Sequence, residues 1–250
     1  MAMRDRRRGR DHEPRRAVAS PPPGAADDCL HSVLVWDLPI RLFHWLIVPL
    51  IIAAYVTWWL NWMDWHAWVG DALLALVLFR LLWGFFGSET ARFRHFVASP
   101  RQAARHLARV GRREPDHQVG HNQAGGWIVL LLLALLLALL LAQALTGLYV
   151  NNDVANEGLL TPLSPAPVAN ALTGLHDIVL WDALLAAVAL HVLAILAYRV
   201  VKGQNLLVPM ITGRKHLPQR TPSPRIVGSR RALFCLLGAA AAAAMLAEWL

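Results

Sequence analysis

The stretch Leu175–Tyr198, LHDIVLWDALLAAVALHVLAILAY, is apolar enough to cross a bilayer yet carries two histidines, His176 and His191. An ionisable side chain at membrane depth costs free energy and by default marks a function. Fifteen residues separate the pair, which on a helix is roughly 22 Å of rise and about 60° of rotation. The two imidazoles therefore lie near opposite faces of the membrane and look toward the same side of a bundle. Two stacked sites sharing one helix fit this arrangement, and each needs a partner elsewhere in the chain.

The rest of the composition agrees with a membrane setting. The 250 residues are 56% hydrophobic and 16% charged, against about 25% charged in an ordinary soluble domain. The 24 Lys and Arg cluster between apolar runs. A nucleic-acid binder would present them on one face of a soluble fold, so that class is excluded. Two cysteines, Cys29 and Cys235, make neither a disulfide framework nor a metal knuckle.

Residues 1–30 are rich in Arg, Pro and Ala without apolar periodicity and are expected to form a disordered cytoplasmic tail. No apolar core follows the arginines before PPPG, which argues against a signal peptide. Four membrane helices are expected at Leu42–Trp62, His66–Phe86, Trp127–Tyr149 and Leu175–Tyr198, with a tight turn around Asp64. Pro49 is a candidate kink in the first, which neighbouring helices can tolerate in a membrane. Tryptophans 58, 59, 62 and 65 mark an interfacial belt at its far end. A last apolar run, Ala232–Leu246, is expected to form a fifth helix. The 87–126 segment holds seven arginines and the 199–231 segment eight basic residues, whereas 63–66 and the 150–174 loop hold none. The positive-inside rule then puts the amino terminus in the cytoplasm.

With that orientation the histidines sort into layers. His44 and His191 lie toward the inner ends of helices one and four; His66 and His176 open helices two and four at the outer side. Facing histidines in a bundle clamp a cofactor from both sides, and haem iron takes one axial imidazole per face. Zinc would want more ligands than each layer offers, although Asp64 and Asp177 are near the outer one. Copper would lack a Cys or Met partner. The bland alternative is that His44, His66 and His176 are interfacial residues bonded to headgroups. Arg80, 14 residues after His66, faces the same interior, where a haem propionate is a suitable bidentate partner; the alternative is snorkelling to inner headgroups. Gly70 and Gly84, one turn after His66 and Arg80, leave room for a flat ring or serve plain helix packing. His31, His95, His106 and His117 read as solvent-exposed, as does His121, for which a quinone or propionate contact is the sharper reading. Gln143 and Thr146 are expected to make interhelical hydrogen bonds.

The order RLFHW, HAWVGDALLALVLFRLLWGFFG, GHNQAGGWIVL, LHD…ALHV and NLLVPMITGRK resembles the bacterial cytochrome b561 family. It is most similar to the branch holding the di-haem cytochrome b subunits of nickel–iron hydrogenases. The resemblance spans about residues 33–215. It implies an all-α membrane protein, a four-helix bundle with two non-covalent b-type haems, each bound by two histidines. Residue by residue it implies His44 with His191 on the inner haem and His66 with His176 on the outer one. The fifteen-residue spacing in helix four is one wider than the family's usual. No CxxCH occurs, which excludes c-type attachment.

The expected organisation is therefore a tail (1–30), a di-haem cytochrome b transmembrane domain (31–215), and a basic linker with a C-terminal apolar helix (216–250). The expected function is transmembrane electron transfer in a bacterial inner membrane. It would run between the quinone pool and an outer partner, either a c-type cytochrome or a dehydrogenase or hydrogenase subunit. The competing reading is a metal or proton transporter with a histidine relay and no haem, which predicts broken helices or carboxylates at the midplane.

Overall fold

The computed structural model describes residues 30–96, 101, 123–150, 158, 160–218 and 221–249. The expected tail, most of the seven-arginine loop, His106, His117, His121 and the loop acids Asp153 and Glu157 lie outside the described residues.

Five long helices account for the apolar runs. The first, α1 (Leu38–Trp59), starts four residues earlier than hydropathy suggests, because Asp37 is its cap. The Asp37 carboxylate accepts from the Ile40 N–H at 2.9 Å, and a proline stands in the first turn, where its missing N–H costs nothing. At 22 residues the helix is about 33 Å long, enough for a hydrocarbon core. Pro49 sits inside it. The connection to α2 (Met63–Phe86) falls at residues 60–62, with Asn61 at φ 55°. Asp64 is thus in the first turn of α2, where a carboxylate favours the helix dipole, and not in the turn itself. A short α3 (Phe93–Phe96) follows, then α4 (Gln123–Gly147), with Ala134–Gly147 as its apolar stretch among the described residues.

The fourth apolar run differs most from expectation. Its helix begins at Ala166, inside the expected 150–174 loop, as α5 (Ala166–Gly174). Pro167 is tolerated there because it falls in the first turn. A π turn, Leu175–Leu180, then leads without a break into α6 (Trp181–Lys202). A π turn carries about 4.4 residues per turn, so the five steps from His176 to Trp181 lose roughly 90° against an α-helix. The offset between His176 and His191 changes from about 60° one way to about 30° the other, and both stay on one stripe.

α6 ends at Gly203, which takes the left-handed conformation at φ 67°. α7 (Leu207–Thr212) is capped by the Asn205 side chain, which accepts from the N–H groups of Leu207 and Val208. Gly213, at φ 79°, turns the chain into β2 (Arg214–Pro218). This strand pairs antiparallel with β1 (Leu30–Leu34), from Leu30 opposite Pro218 to Leu34 opposite Arg214. The all-helical expectation therefore misses a two-stranded clip, sealed by buried Val33, Val35 and Leu217.

α8 (Ser229–Trp249) packs along α2, its most extensive helix contact, and α1 lies on another side of α2. One core joins Phe43 and Ile47 of α1, Val77 and Trp83 of α2, Leu140 of α4, Leu184 of α6 and Ala239 of α8. Among the described residues four helical stretches are long and apolar enough to cross a membrane: Leu38–Trp59, Met63–Phe86, Ala166–Val201 and Ser229–Leu246. The clip and the basic segments mark a basic end of the molecule, and the opposite one is the tryptophan end.

Candidate cofactor site

The helix backbones leave a gap where the histidines stand. α1 packs on α2 and α4 packs on α6, but α1 and α6 scarcely approach each other, nor does α2 approach the π turn. Across these gaps the histidines meet in pairs. At the basic end His44 of α1 faces His191 of α6, ring centres 6.2 Å apart and planes at 52°. At the tryptophan end His66 of α2 faces His176 of the π turn, again 6.2 Å apart, planes at 74°.

That separation has a chemical meaning. A metal–imidazole bond of about 2 Å plus about 1.1 Å from nitrogen to ring centre places two rings on opposite sides of one metal about 6.3 Å apart. Both pairs have this spacing. Among the described residues no cluster of three or more His, Cys, Asp or Glu side chains is placed to hold a bare metal ion. The pairs thus offer two ligands each from opposite sides, a donor set suited to a metal whose other positions a planar macrocycle fills.

Hydrogen bonds at the tryptophan end select the ligating nitrogen. The His66 Nδ1 lies 2.9 Å from the Ala54 carbonyl oxygen. A carbonyl only accepts, so Nδ1 carries the proton and the neutral ring keeps its lone pair on Nε2. The Thr57 hydroxyl stands 3.4 Å from the same Nδ1 and donates to the Ala53 carbonyl at 2.7 Å. Across the gap the Thr146 hydroxyl donates to the Ala142 carbonyl at 2.7 Å and accepts from His176 Nδ1 at 3.1 Å. His176 is therefore also left with a free Nε2. Metal-ligating histidines commonly donate their other ring N–H in this way.

Space is available between these rings. A cavity of about 290 Å³ lies there, lined among others by His66, Gly70, Gln143 and His176. A side chain at Gly70 would meet nothing within 4 Å, so this glycine leaves the wall open. Gly147 serves the histidine directly. A Cβ there would come 3.2 Å from the His176 ring, so only glycine seats that imidazole without displacement. At Gly84 the ring of Phe93 occupies the space a Cβ would take, which is the packing role and not the room for a cofactor ring.

At the basic end, His44 Nδ1 is buried without a hydrogen-bond partner among the described residues. Arg80 is buried in α2, 7% exposed. Its guanidinium carbon lies 5.1 Å over the Phe93 ring, and its Nη1 has no hydrogen-bond partner among the described residues. A guanidinium in this position does not snorkel and has a donor to spare for an anion. Asp37, also buried, accepts the Trp83 indole N–H at 3.0 Å and locks α2 to the start of α1. Of the lone polar residues in α4, Thr146 makes its interhelical bond to His176, while Gln143 Oε1 is buried without a partner. Among the other histidines, His31 bonds the Leu217 carbonyl within the clip and His95 lies 3.9 Å from Glu89.

Thr57, Ala54, Gly147 and Asp37 are site and scaffold residues that sequence reasoning misses. Only Asp37 carries a signal, the DLP of a capped helix start.

Apolar helices of membrane-spanning length, joined across gaps by facing histidine pairs, define the class of membrane-bound cytochromes. Within that class, the model of the prokaryotic cytochrome b561 family matches residues 35–213, and the chain belongs to that family. Members bind b-type haem and serve haem-based electron transfer in membranes. No curated protein and no solved structure matches the chain.

Proposed function

We propose that this chain carries electrons across a bacterial inner membrane through two b-type haems, one at each histidine pair. The observation that carries the reading is the repeated 6.2 Å contact between histidines on helices whose backbones stay apart. His44 and His191 would hold one group, and His66 and His176 the other. Arg80, with its unpaired Nη1, would receive a propionate at the basic end.

Haem iron supplies a one-electron couple when bound. The chain's part would be to offer two histidines to each group, His44 with His191 and His66 with His176, and the chemistry supplied there would be electron transfer and not bond-making on a substrate. Thr146 and the Ala54 carbonyl fix the tautomers at the tryptophan end. The positive-inside rule sets the basic end in the cytoplasm with the amino terminus. Electrons would pass between a partner outside, either a c-type cytochrome or a dehydrogenase or hydrogenase subunit, and the quinone pool.

A reduced-minus-oxidised spectrum of the purified protein, with haem quantified per chain, tests the reading. Two haems with a b-type Soret change and a split α band are expected. One haem per chain would remove the transmembrane path, and none would restore the histidine-relay transporter.

A further inference from the structure

Between the two histidine pairs lies an aromatic contact that neither pair uses. Tyr55 of α1 and Trp181, the first residue of α6, stack with ring centres 5.4 Å apart and planes within 10°. They bridge the same two helices as His44 and His191, which make few backbone approaches along their length. Trp181 follows His176 by five residues and precedes His191 by ten, which sets it about 7 Å along the axis from one pair and about 15 Å from the other. Tyr55 is eleven residues beyond His44 on α1. Both rings flank the cavity at the tryptophan end, and Trp181 packs against the common core on its other side.

Position, not geometry, separates this contact from ordinary core packing, since the core pair Phe79 and Trp83 is stacked in the same way. The contact joins α1 and α6, helices with few backbone approaches, at a level between the two histidine pairs, so loss of a ring removes packed atoms from that interval. Electron tunnelling weakens more steeply across a void than across packed atoms.

We infer that the Tyr55–Trp181 stack is the bridge that couples the two redox sites. The inference rests on the two-haem reading above. One electron leaves one site and arrives at the other; the rings are neither oxidised nor reduced, and no proton moves. The stack acts as a positioning and coupling element, not as a catalytic group.

The test uses the full chain with haem bound and compares Trp181→Ala, Trp181→Leu, Trp181→Phe and Tyr55→Leu. Haem per chain, both midpoint potentials and the inter-haem transfer rate after photochemical injection of one electron are measured. Near-ultraviolet circular dichroism of the haem-free chain reports independently whether the stack forms. Removal of a ring is expected to slow transfer, most in Ala, where a void forfeits packed contacts, and less in Leu, which keeps part of the packing but not the ring. The two potentials should stay in place, and Phe should restore most of the rate. Leu fills the cavity wall, so it keeps the test valid if Ala weakens haem binding. Two haems with unchanged rates in Trp181→Leu and Tyr55→Leu would overturn the bridge alone, as would a Phe variant as slow as Leu. A parent chain with a single haem would overturn the bridge together with the reading it rests on. A haem-free chain without the stacked-pair signal would show that the contact is not built by the protein, and would likewise overturn it.

Discussion

A threonine hydroxyl decides which nitrogen of His176 is free. The Thr146 oxygen spends its own proton on the Ala142 carbonyl and so accepts from His176 Nδ1. Thr146→Val keeps the shape of the side chain and removes the acceptor. Loss of such a partner typically costs 10–100-fold in metal affinity, and about that loss is expected in haem titrations of the tryptophan-end site, with Thr146→Ser close to the parent. Equal titrations for Val and Thr would contradict the assigned tautomer. Asp37 works at the same scale but for the scaffold. Asp37→Ala removes a helix cap and leaves the buried Trp83 indole N–H unpaired, an expected loss of about 2–4 kcal/mol. Asp37→Asn keeps one acceptor for the cap but turns its amide N–H2 toward the Trp83 indole N–H, so it should melt between the Ala variant and the parent. An Ala variant as stable as Asn would contradict the double role.

Among the elements, the π turn at Leu175–Leu180 has the most direct consequence for the site. It absorbs the rotation that a fifteen-residue spacing would otherwise impose between His176 and His191. Deletion of Val179 should let the turn close as an α-helix and keep two haems per chain. Insertion of one alanine after Ile178 should turn His176 about 100° away and lose the tryptophan-end haem. A deletion variant that loses that haem would contradict this account of the register. The π turn was not legible in the sequence, because an i→i+5 turn has no composition of its own. The start of that helix at Ala166 was hidden by three prolines, which read as breakers until Pro167 is seen in a first turn. The β1–β2 clip was hidden because RKHLP carries no strand alternation and gains its pairing only from the distant LHSVL. The long apolar runs were legible, since a bilayer demands length and hydropathy that few other elements have. The grouping of the four histidines into two layers was read from helix order and the charge asymmetry that orients it, and the structure brings the same residues face to face. The role of Gly84 was not, because a glycine does not announce which neighbour, here Phe93, takes its empty space.

Across the whole molecule the helices divide the work. α2, α8 and α1 share the broadest packing, whereas the histidine pairs face the π turn and α6 across gaps. A cofactor seated between them would bind the two sides together, so haem loss should lower the thermal stability of the chain as well as its colour, a coupling of binding to folding measurable in a melt with and without haem. Identical melting temperatures with and without haem would contradict it. The central claim is that each pair holds its own haem, and the most direct measurement is haem per chain in His176→Ala and His191→Ala beside the parent. Two haems are expected in the parent and about one in each variant, with different α-band components lost in the two. Two haems retained in either variant, or both lost in both, would contradict the division into separate sites.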